Sequence, residues 1–156
     1  MGKTLIVSSI VFLIDQISKW YVFDYLDLRT KSAIDVFPPF LNFREGWNTG
    51  INFGLFANHS DAVRWGLIIM AVAISIAVLW YAKNYLGWAA AVLFGSIIGG
   101  AFANAFDRVI YGAVADFLNM SCCGINNQYS FNLADVFVFA GAFGLVFFSE
   151  KLEKRA

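Results

Sequence analysis

The stretch Leu86–Phe106, LGWAAAVLFGSIIGGAFANAF, runs 21 residues without a charged side chain. An α-helix needs about 20 apolar residues to cross the roughly 30 Å hydrocarbon core of a bilayer, so this stretch is long enough to span a membrane. The preceding stretch 65–82, WGLIIMAVAISIAVLWYA, is also uncharged. Because so few residues separate the two, the sequence predicts a tight antiparallel hairpin of membrane-spanning helices.

The first and last apolar segments are too short to span a membrane unless they include charged residues. Residues 4–14 end at Asp15, and residues 136–149 begin after Asp135. Extension to full length takes Asp15 and Lys19 into the first segment and Asp135 into the first turn of the last. The sequence therefore predicts four spans, at about 4–23, 64–82, 86–107 and 131–149. The first segment also fits a signal peptide, but no small-x-small cleavage site follows it, so we expect it to be retained.

The composition places the chain among integral membrane proteins. Hydrophobic residues make up 60% of the chain and charged residues 14%, unlike a soluble globular domain. The length of 156 residues fits one domain, 1–156. The net charge is zero and no basic block is present, which argues against a nucleic-acid partner. With adjacent Cys122 and Cys123 and a single His59, we expect no metal site and no cofactor.

The loops between the spans differ in length and character. The predicted loops 24–61 and 108–130 are long, and the first contains short β-branched and aromatic runs at 34–37 and 40–43. These runs favour a small strand-and-turn structure on the membrane. Apart from Lys19 within the first span, five Lys and Arg residues fall on each side of the membrane. On the side that carries both termini they cluster near the ends of the spans. We therefore expect cytoplasmic termini, and an all-α membrane protein with four transmembrane helices and a small extracytoplasmic β/loop subdomain.

Asp116 and Asp135 are the principal candidate catalytic residues. They lie in GAVADF (112–117) and SFNLADV (130–136), each beside an apolar stretch. A carboxylate near hydrocarbon is costly and by default marks a functional site. Two such groups can share one proton and act as an acid and a base, as in aspartic proteases. Two alternatives remain for this pattern: Asp135 in a helix cap begun by Asn132, and a small carrier that relays protons or cations.

Two further polar groups accompany the spans. Asp15 and Lys19 are four residues apart on one helical face, in the order that favours an ion pair. On this reading, loss of Asp15 alone leaves an unpaired cation in the membrane. At the end of the third span, Asn104, Asp107 and Arg108 are predicted to share a face that points at the outer loop, where Arg108 is suited to bind a carboxylate or a peptide carbonyl.

These motifs together resemble the bacterial prolipoprotein signal peptidase family, signal peptidase II. The resemblance covers essentially the whole chain in order, and it is carried by Asp15–Lys19, Asn48–Gly50 with Phe53, Gly99–Gly100 with Asn104, Asp107–Arg108, Val114–Phe117 and Phe131–Asp135. Two positions depart from the family pattern. Ala103 stands where the family usually has Gly, and Asn52 replaces a small apolar residue. Neither change removes a group that the chemistry needs, so the resemblance still implies activity but does not define the fine substrate preference.

The resemblance implies an intramembrane aspartic endopeptidase with Asp116 and Asp135 as its catalytic pair. Its substrates are expected to be prolipoproteins carrying a diacylglyceryl-modified Cys, cleaved just before that Cys. The expected partners are these precursors and membrane lipids, with the chain a monomer in the bacterial cytoplasmic membrane and its active site toward the outer face. Residues expected to bind substrate or support the site are Asp15, Lys19, Asn48, Gly50, Gly100, Asn104, Arg108 and Asn132.

Overall fold

The computed structural model describes residues 1–50, 61–121 and 127–154. The α-helices among them are α1 (Gly2–Trp20), α2 (Leu28–Lys31), α3 (Asp61–Ala82), α4 (Gly87–Tyr111) and α5 (Leu133–Phe148). The β-strands are β1 (Ala33–Phe37), β2 (Leu41–Asn48) and β3 (Val114–Met120). A π-helical turn, Tyr21–Tyr25, continues α1, and a 3-10 turn, Ser149–Lys151, continues α5. Asn52, Phe53, His59, Cys122 and Cys123 lie outside the described residues.

Four helices in the described part of the chain are long and apolar enough to cross a membrane: Gly2–Tyr25, Asp61–Ala82, Gly87–Tyr111 and Leu133–Lys151. The predicted fold class, a four-helix membrane protein with a small β subdomain, is thereby confirmed. The third of these membrane-spanning helices, α4, continues to Tyr111, beyond the predicted end of the span at residue 107. It ends where Gly112 takes a left-handed conformation with φ of 81°, the usual way for glycine to terminate a helix.

Helix α4 is the centre of the bundle and packs against α1, α3 and α5. Two adjacent glycines let α1 and α5 approach it closely. A Cβ atom at Gly99 would lie 2.5 Å from the carbonyl oxygen of Ser8 in α1. A Cβ atom at Gly100 would lie 2.5 Å from the carbonyl oxygen of Ala134 in α5. Any side chain at these positions would push the helices apart, so the small residues fix the bundle spacing.

The three strands form one antiparallel sheet in the order β1-β2-β3. The predicted runs at 34–37 and 40–43 fall in β1 and β2, paired as Ile34 with Phe43. Strand β3 comes from the second long loop and pairs Asp116 with Gly46 of β2. The sheet joins the bundle through an apolar cluster in which Phe117 of β3 packs edge-on against Phe23 and Phe43. This cluster fixes the position of β3 relative to α1.

Candidate active site

Strand β3 carries Asp116 into the interior of the protein. The backbone of β3 pairs with β2 on one side, and residues Val114 to Phe117 are all buried. The Asp116 side chain is also buried, with its Oδ1 atom 2.6 Å from the donating Nδ2 of Asn132. The residue directly opposite Asp116 in β2 is Gly46, which has no side chain.

Helix α5 carries Asp135 in its first turn. Asn132 is the N-cap residue, and its side chain accepts the backbone N–H of Asp135 at 2.9 Å. In return, Asp135 Oδ2 accepts the backbone N–H of Asn132 at 3.4 Å, which completes a capping box. The predicted helix cap is therefore present. It engages one carboxylate oxygen, while the other, Oδ1, accepts a 2.8 Å hydrogen bond from Asn104 Nδ2.

Two asparagines join the two carboxylates. Asn132 Nδ2 donates to Asp116 and also to Asn104 Oδ1 at 3.0 Å, and Asn104 Nδ2 donates to Asp135. Asn132 is completely buried. We call Asp116 and Asp135, with Asn104 and Asn132, the amide-bridged pair. Its members come from β3, α4 and α5, so the geometry depends on all three elements.

The electrostatics of the amide-bridged pair favour a proton on Asp116. Burial, and in addition the neighbouring carboxylate of Asp135, raise the pKa of Asp116 from its ordinary value of 3.8 to about 8. The hydrogen bond from Asn132, the charge of Lys19 and a hydrogen bond from Asn48 act in the opposite direction but do not cancel the rise.

A second set of buried charges lies beside the first. Lys19 Nζ is 2.6 Å from Asp15 Oδ2 and 2.6 Å from Asp107 Oδ2. Gln16 Nε2 donates to Asp107 Oδ1 at 2.9 Å and to Asp15 Oδ2 at 3.3 Å. We call Asp15, Lys19 and Asp107 the ion-paired cluster. The predicted pairing of Asp15 with Lys19 is confirmed, but Asp107 is an additional partner of Lys19.

Asp107 has partners on two sides. The sequence predicts that it points at the outer loop together with Asn104 and Arg108, and its Oδ2 atom accepts the backbone N–H of Ala115, in the second outer loop, at 3.2 Å. The same carboxylate also binds Lys19 of α1, a contact that the sequence does not predict, and it is completely buried. Residues three and four apart occupy neighbouring but distinct positions around a helix, so one end of α4 serves two networks. A carboxylate at the end of an apolar span was itself a signal of function, although Asp107 was not included among the candidate site residues.

Arg108 reaches from α4 to the end of β2. Its Nη2 donates to the carbonyl oxygen of Gly50 at 2.6 Å, and its Nη1 donates to the carbonyl oxygen of Asn104 at 3.2 Å. Asn48 Oδ1 accepts the backbone N–H of Gly50 at 3.0 Å. The predicted residues Asn48, Gly50 and Arg108 thus hold the chain where it leaves β2, next to the amide-bridged pair. Gly100 contributes by letting α5 approach α4 at Ala134, one residue before Asp135.

A cavity opens on one side of Asp116. Its volume is about 520 Å³, and its lining comes from Asp116, from residues 44–49 along β2 and from residues 127–130. Gly46 forms part of the wall: a Cβ atom there would lie 3.4 Å from the Ser130 Cβ and 3.6 Å from the Asp116 Cβ. The volume is within the range of ligand-binding clefts, so an extended peptide segment can reach Asp116 along β2.

Comparison with known proteins identifies the family. A family model described as signal peptidase (SPase) II matches residues 7–150. The chain belongs to the signal peptidase II family. It is therefore a membrane-embedded peptidase of lipoprotein maturation, and the resemblance found from the sequence motifs is confirmed.

Signal peptidase II relatives match over most of their length. The lipoprotein signal peptidase of Pelagibacter ubique (strain HTCC1062) is 34% identical, over 94% of this chain and 89% of its own. That of Nitrobacter hamburgensis (strain DSM 10229 / NCIMB 13809 / X14) is 38% identical, over 91% and 88%. Two solved bacterial membrane enzymes share the fold, with TM-scores of 0.74 and 0.76 at 21% and 23% identity. The first match covers 97% of this chain and 89% of the solved chain, and the second covers 94% and 92%.

Proposed function

We propose that this signal peptidase II removes the signal peptide from diacylglyceryl-modified prolipoproteins by aspartic catalysis, with Asp116 and Asp135 as the catalytic pair. The observation that carries the proposal is the amide-bridged pair: two buried carboxylates on separate elements, joined through shared asparagines, with a cavity beside one of them. Family membership supports the reaction class and the substrate class.

The proposed mechanism uses the two carboxylates in different protonation states. Asp135 is ionised and takes a proton from a water molecule held between the carboxylates, which then attacks the scissile carbonyl carbon. Asp116 is protonated and donates its proton to the carbonyl oxygen. The raised pKa of Asp116 supports this division of roles. Because interacting carboxylates titrate as a unit, an activity profile reports the pair rather than either residue.

The remaining site residues are proposed to bind or support the substrate. Arg108 has an Nε atom that is buried and without a hydrogen-bond partner among the described residues, and this atom is proposed to face the bound peptide. Asn104 and Asn132 hold the carboxylates, while Asn48 and Gly50 shape the backbone beside the cavity. Cleavage just before the lipidated Cys requires the acyl chains of the substrate to lie between the spans, with the peptide under the sheet.

The proposed orientation has both termini in the cytoplasm and the active site toward the outer face of the bacterial cytoplasmic membrane. The clustering of Lys and Arg near the span ends on the side of the termini supports it. The protein is proposed to act as a monomer, since the amide-bridged pair is built from one chain. A reporter fused after Ala156 that is active only outside the cell would contradict the orientation.

The direct test is cleavage of a lipidated prolipoprotein by the purified protein in detergent, followed by gel mobility. The native protein is expected to convert the precursor, while Asp116→Asn and Asp135→Asn leave it uncleaved. Asp24→Asn is a matched control, because it makes the same acid-to-amide change at a half-exposed side chain that faces Arg29. It is expected to cleave at the native rate.

The Asp135→Asn variant distinguishes a catalytic role of Asp135 from a role in the helix cap alone. If Asp135 only caps α5, then Asn at this position serves almost as well and cleavage continues. Substantial turnover by a folded Asp135→Asn protein would therefore remove Asp135 from the proposed catalytic pair. Failure of the native protein to shift the precursor would exclude the proposed substrate.

A further inference from the structure

Each carboxylate of the proposed catalytic pair follows an alanine whose backbone N–H is held by a carboxylate of the ion-paired cluster. The N–H of Ala115, before Asp116, donates to Asp107 Oδ2 at 3.2 Å. The N–H of Ala134, before Asp135, donates to Asp15 Oδ1 at 2.8 Å. Both alanines are buried. The same contact therefore occurs twice, once in a strand and once in a helix.

The two N–H groups lie in different structural settings. Ala134 is the second residue of α5, where backbone N–H groups have no intrahelical acceptor. Asp15 of α1 supplies that missing acceptor. Ala115 lies in β3 opposite Trp47 of β2, and Asp107 of α4 accepts its N–H from outside the sheet.

Lys19 connects the two contacts. Its ammonium lies 2.6 Å from a carboxylate oxygen of Asp15 and equally close to one of Asp107. The Gln16 amide donates to the same two carboxylates. A continuous path of short polar contacts therefore runs from Ala115 through Asp107, Lys19 and Asp15 to Ala134.

We infer that Asp15, Lys19 and Asp107 are positioning residues that set the separation of the Asp116 and Asp135 carboxylates. Consecutive Cα atoms are only about 3.8 Å apart, so a displaced alanine N–H displaces the aspartate that follows it. The inference rests on the proposed function and adds a positioning role for Asp107, which is not among the residues that the sequence predicts to bind substrate or support the site. None of the three needs to touch the substrate.

A purely structural ion-paired cluster would behave differently when it is altered. It would change the melting temperature, while the molecules that remain folded would turn over normally. A positioning cluster changes the turnover of folded molecules, because a misplacement of about 1 Å between reacting groups costs about 100-fold in rate. Substrate binding along β2 does not involve the cluster, so KM is expected to change little.

The experiment measures kcat and KM separately for Asp15→Asn and Asp107→Asn on a lipidated prolipoprotein in detergent. Each assay is run well below the melting temperature of that variant. We expect kcat to fall about 10- to 100-fold while KM stays close to the native value. The double variant should turn over about as slowly as the slower single variant, because loss of either contact releases the same constraint on the distance between the two catalytic carboxylates. Its melting temperature should be lower than that of either single variant, because Lys19 then has neither carboxylate partner.

Conservative variants keep the test informative if the amide variants do not fold. Asp15→Glu and Asp107→Glu retain the charge that pairs with Lys19 but move the carboxylate by one methylene. They are expected to fold and still to show a reduced kcat. Asp24→Asn, an acid-to-amide change outside both networks, is the control and is expected to keep the native kcat.

Two outcomes separate this inference from the proposed function. If Asp116→Asn and Asp135→Asn abolish cleavage but the folded Asp15 and Asp107 variants keep a native kcat, the positioning role is wrong and the catalytic pair stands. If Asp116→Asn and Asp135→Asn continue to cleave, the proposed function is wrong and the positioning role falls with it.

Discussion

The ion-paired cluster and the amide-bridged pair contain the same reactive groups in different surroundings. Each has two buried carboxylates, carried by different secondary-structure elements, within the same end of the bundle. In the ion-paired cluster an ammonium lies between the carboxylates. In the amide-bridged pair the direct links are neutral side-chain amides.

This difference decides which carboxylates are suited to proton transfer. An ammonium 2.6 Å from both carboxylates offsets part of the free-energy cost of burying them. An amide N–H supplies a hydrogen bond but no full charge, so burial and mutual repulsion act on Asp116 and raise its pKa to about 8. One cluster is suited to hold the structure, and the other is suited to exchange a proton.

The largest expected effect comes from neutralising the amide-bridged pair. Asp116→Asn and Asp135→Asn should each lower kcat by about 10²–10⁴ or more, the loss typical of a missing general acid or base. The double variant should be scarcely slower than either single variant, because the two groups act as a unit. Single-turnover cleavage by the three purified variants measures this. Additive losses would contradict joint action.

Removal of the cation from the ion-paired cluster should be the next largest effect. Lys19→Met leaves Asp15 and Asp107 buried without compensation and should lower the free energy of unfolding by about 3–5 kcal/mol. The sequence predicts that Asp15→Asn leaves Lys19 as an unpaired cation in the membrane. That expectation is wrong, because Lys19 keeps Asp107 as a partner at 2.6 Å. Asp15→Asn should therefore melt higher than Lys19→Met in detergent, and the reverse order would contradict the shared-cation geometry.

The amide-bridged pair should also make stability and activity depend on pH. The pKa of Asp116 is about 8 in the folded protein and near 3.8 when unfolded, so the folded state binds the extra proton between these values. Its stabilising contribution is complete below pH 4 and is lost as the pH rises to about 8, by up to about 1.4 kcal/mol per pH unit. Activity that needs one protonated carboxyl in the amide-bridged pair should fall above about pH 8.

Thermal melting across this pH range measures whether the stabilising contribution of Asp116 decreases as the pH rises. The melting temperature of Asp116→Asn minus that of the native protein should increase as the pH rises from 5 to 8, since Asn carries no titrating proton. Asp24→Asn provides the baseline for an exposed acid. A constant difference between Asp116→Asn and the native protein would mean that Asp116 keeps an ordinary pKa.

The smallest expected effect concerns the cavity beside the amide-bridged pair. Gly46→Val places a branched side chain between Ser130 and Asp116, where a Cβ alone already reaches 3.4 Å and 3.6 Å from their Cβ atoms. We expect KM to rise about tenfold, with a smaller change in kcat. Gly66→Ala on α3, where an added Cβ meets nothing within 4 Å, is the control. An unchanged KM for Gly46→Val would exclude this cavity as the path of the peptide.

Much of the fold and part of the candidate site were accessible from the sequence. Uncharged runs predicted the spans because membrane crossing depends mainly on length and apolar composition. The i, i+4 spacing predicted that Asp15 and Lys19 meet, since contact along one helix is a local property. Asp116 and Asp135 were conspicuous because a carboxylate beside an apolar stretch is rare.

The sequence by itself determined the four spans, the short strands of the first outer loop and the residue types at the two carboxylate pairs. Only the tertiary structure decided how those residues combine. It turned Asp107 toward Lys19, paired Asp116 with Gly46, and brought Asn132 between Asp116 and the first turn of α5. The physical reason is that these contacts join α1, α4, β3 and α5 across long separations in the chain, and no local pattern records which elements pack together.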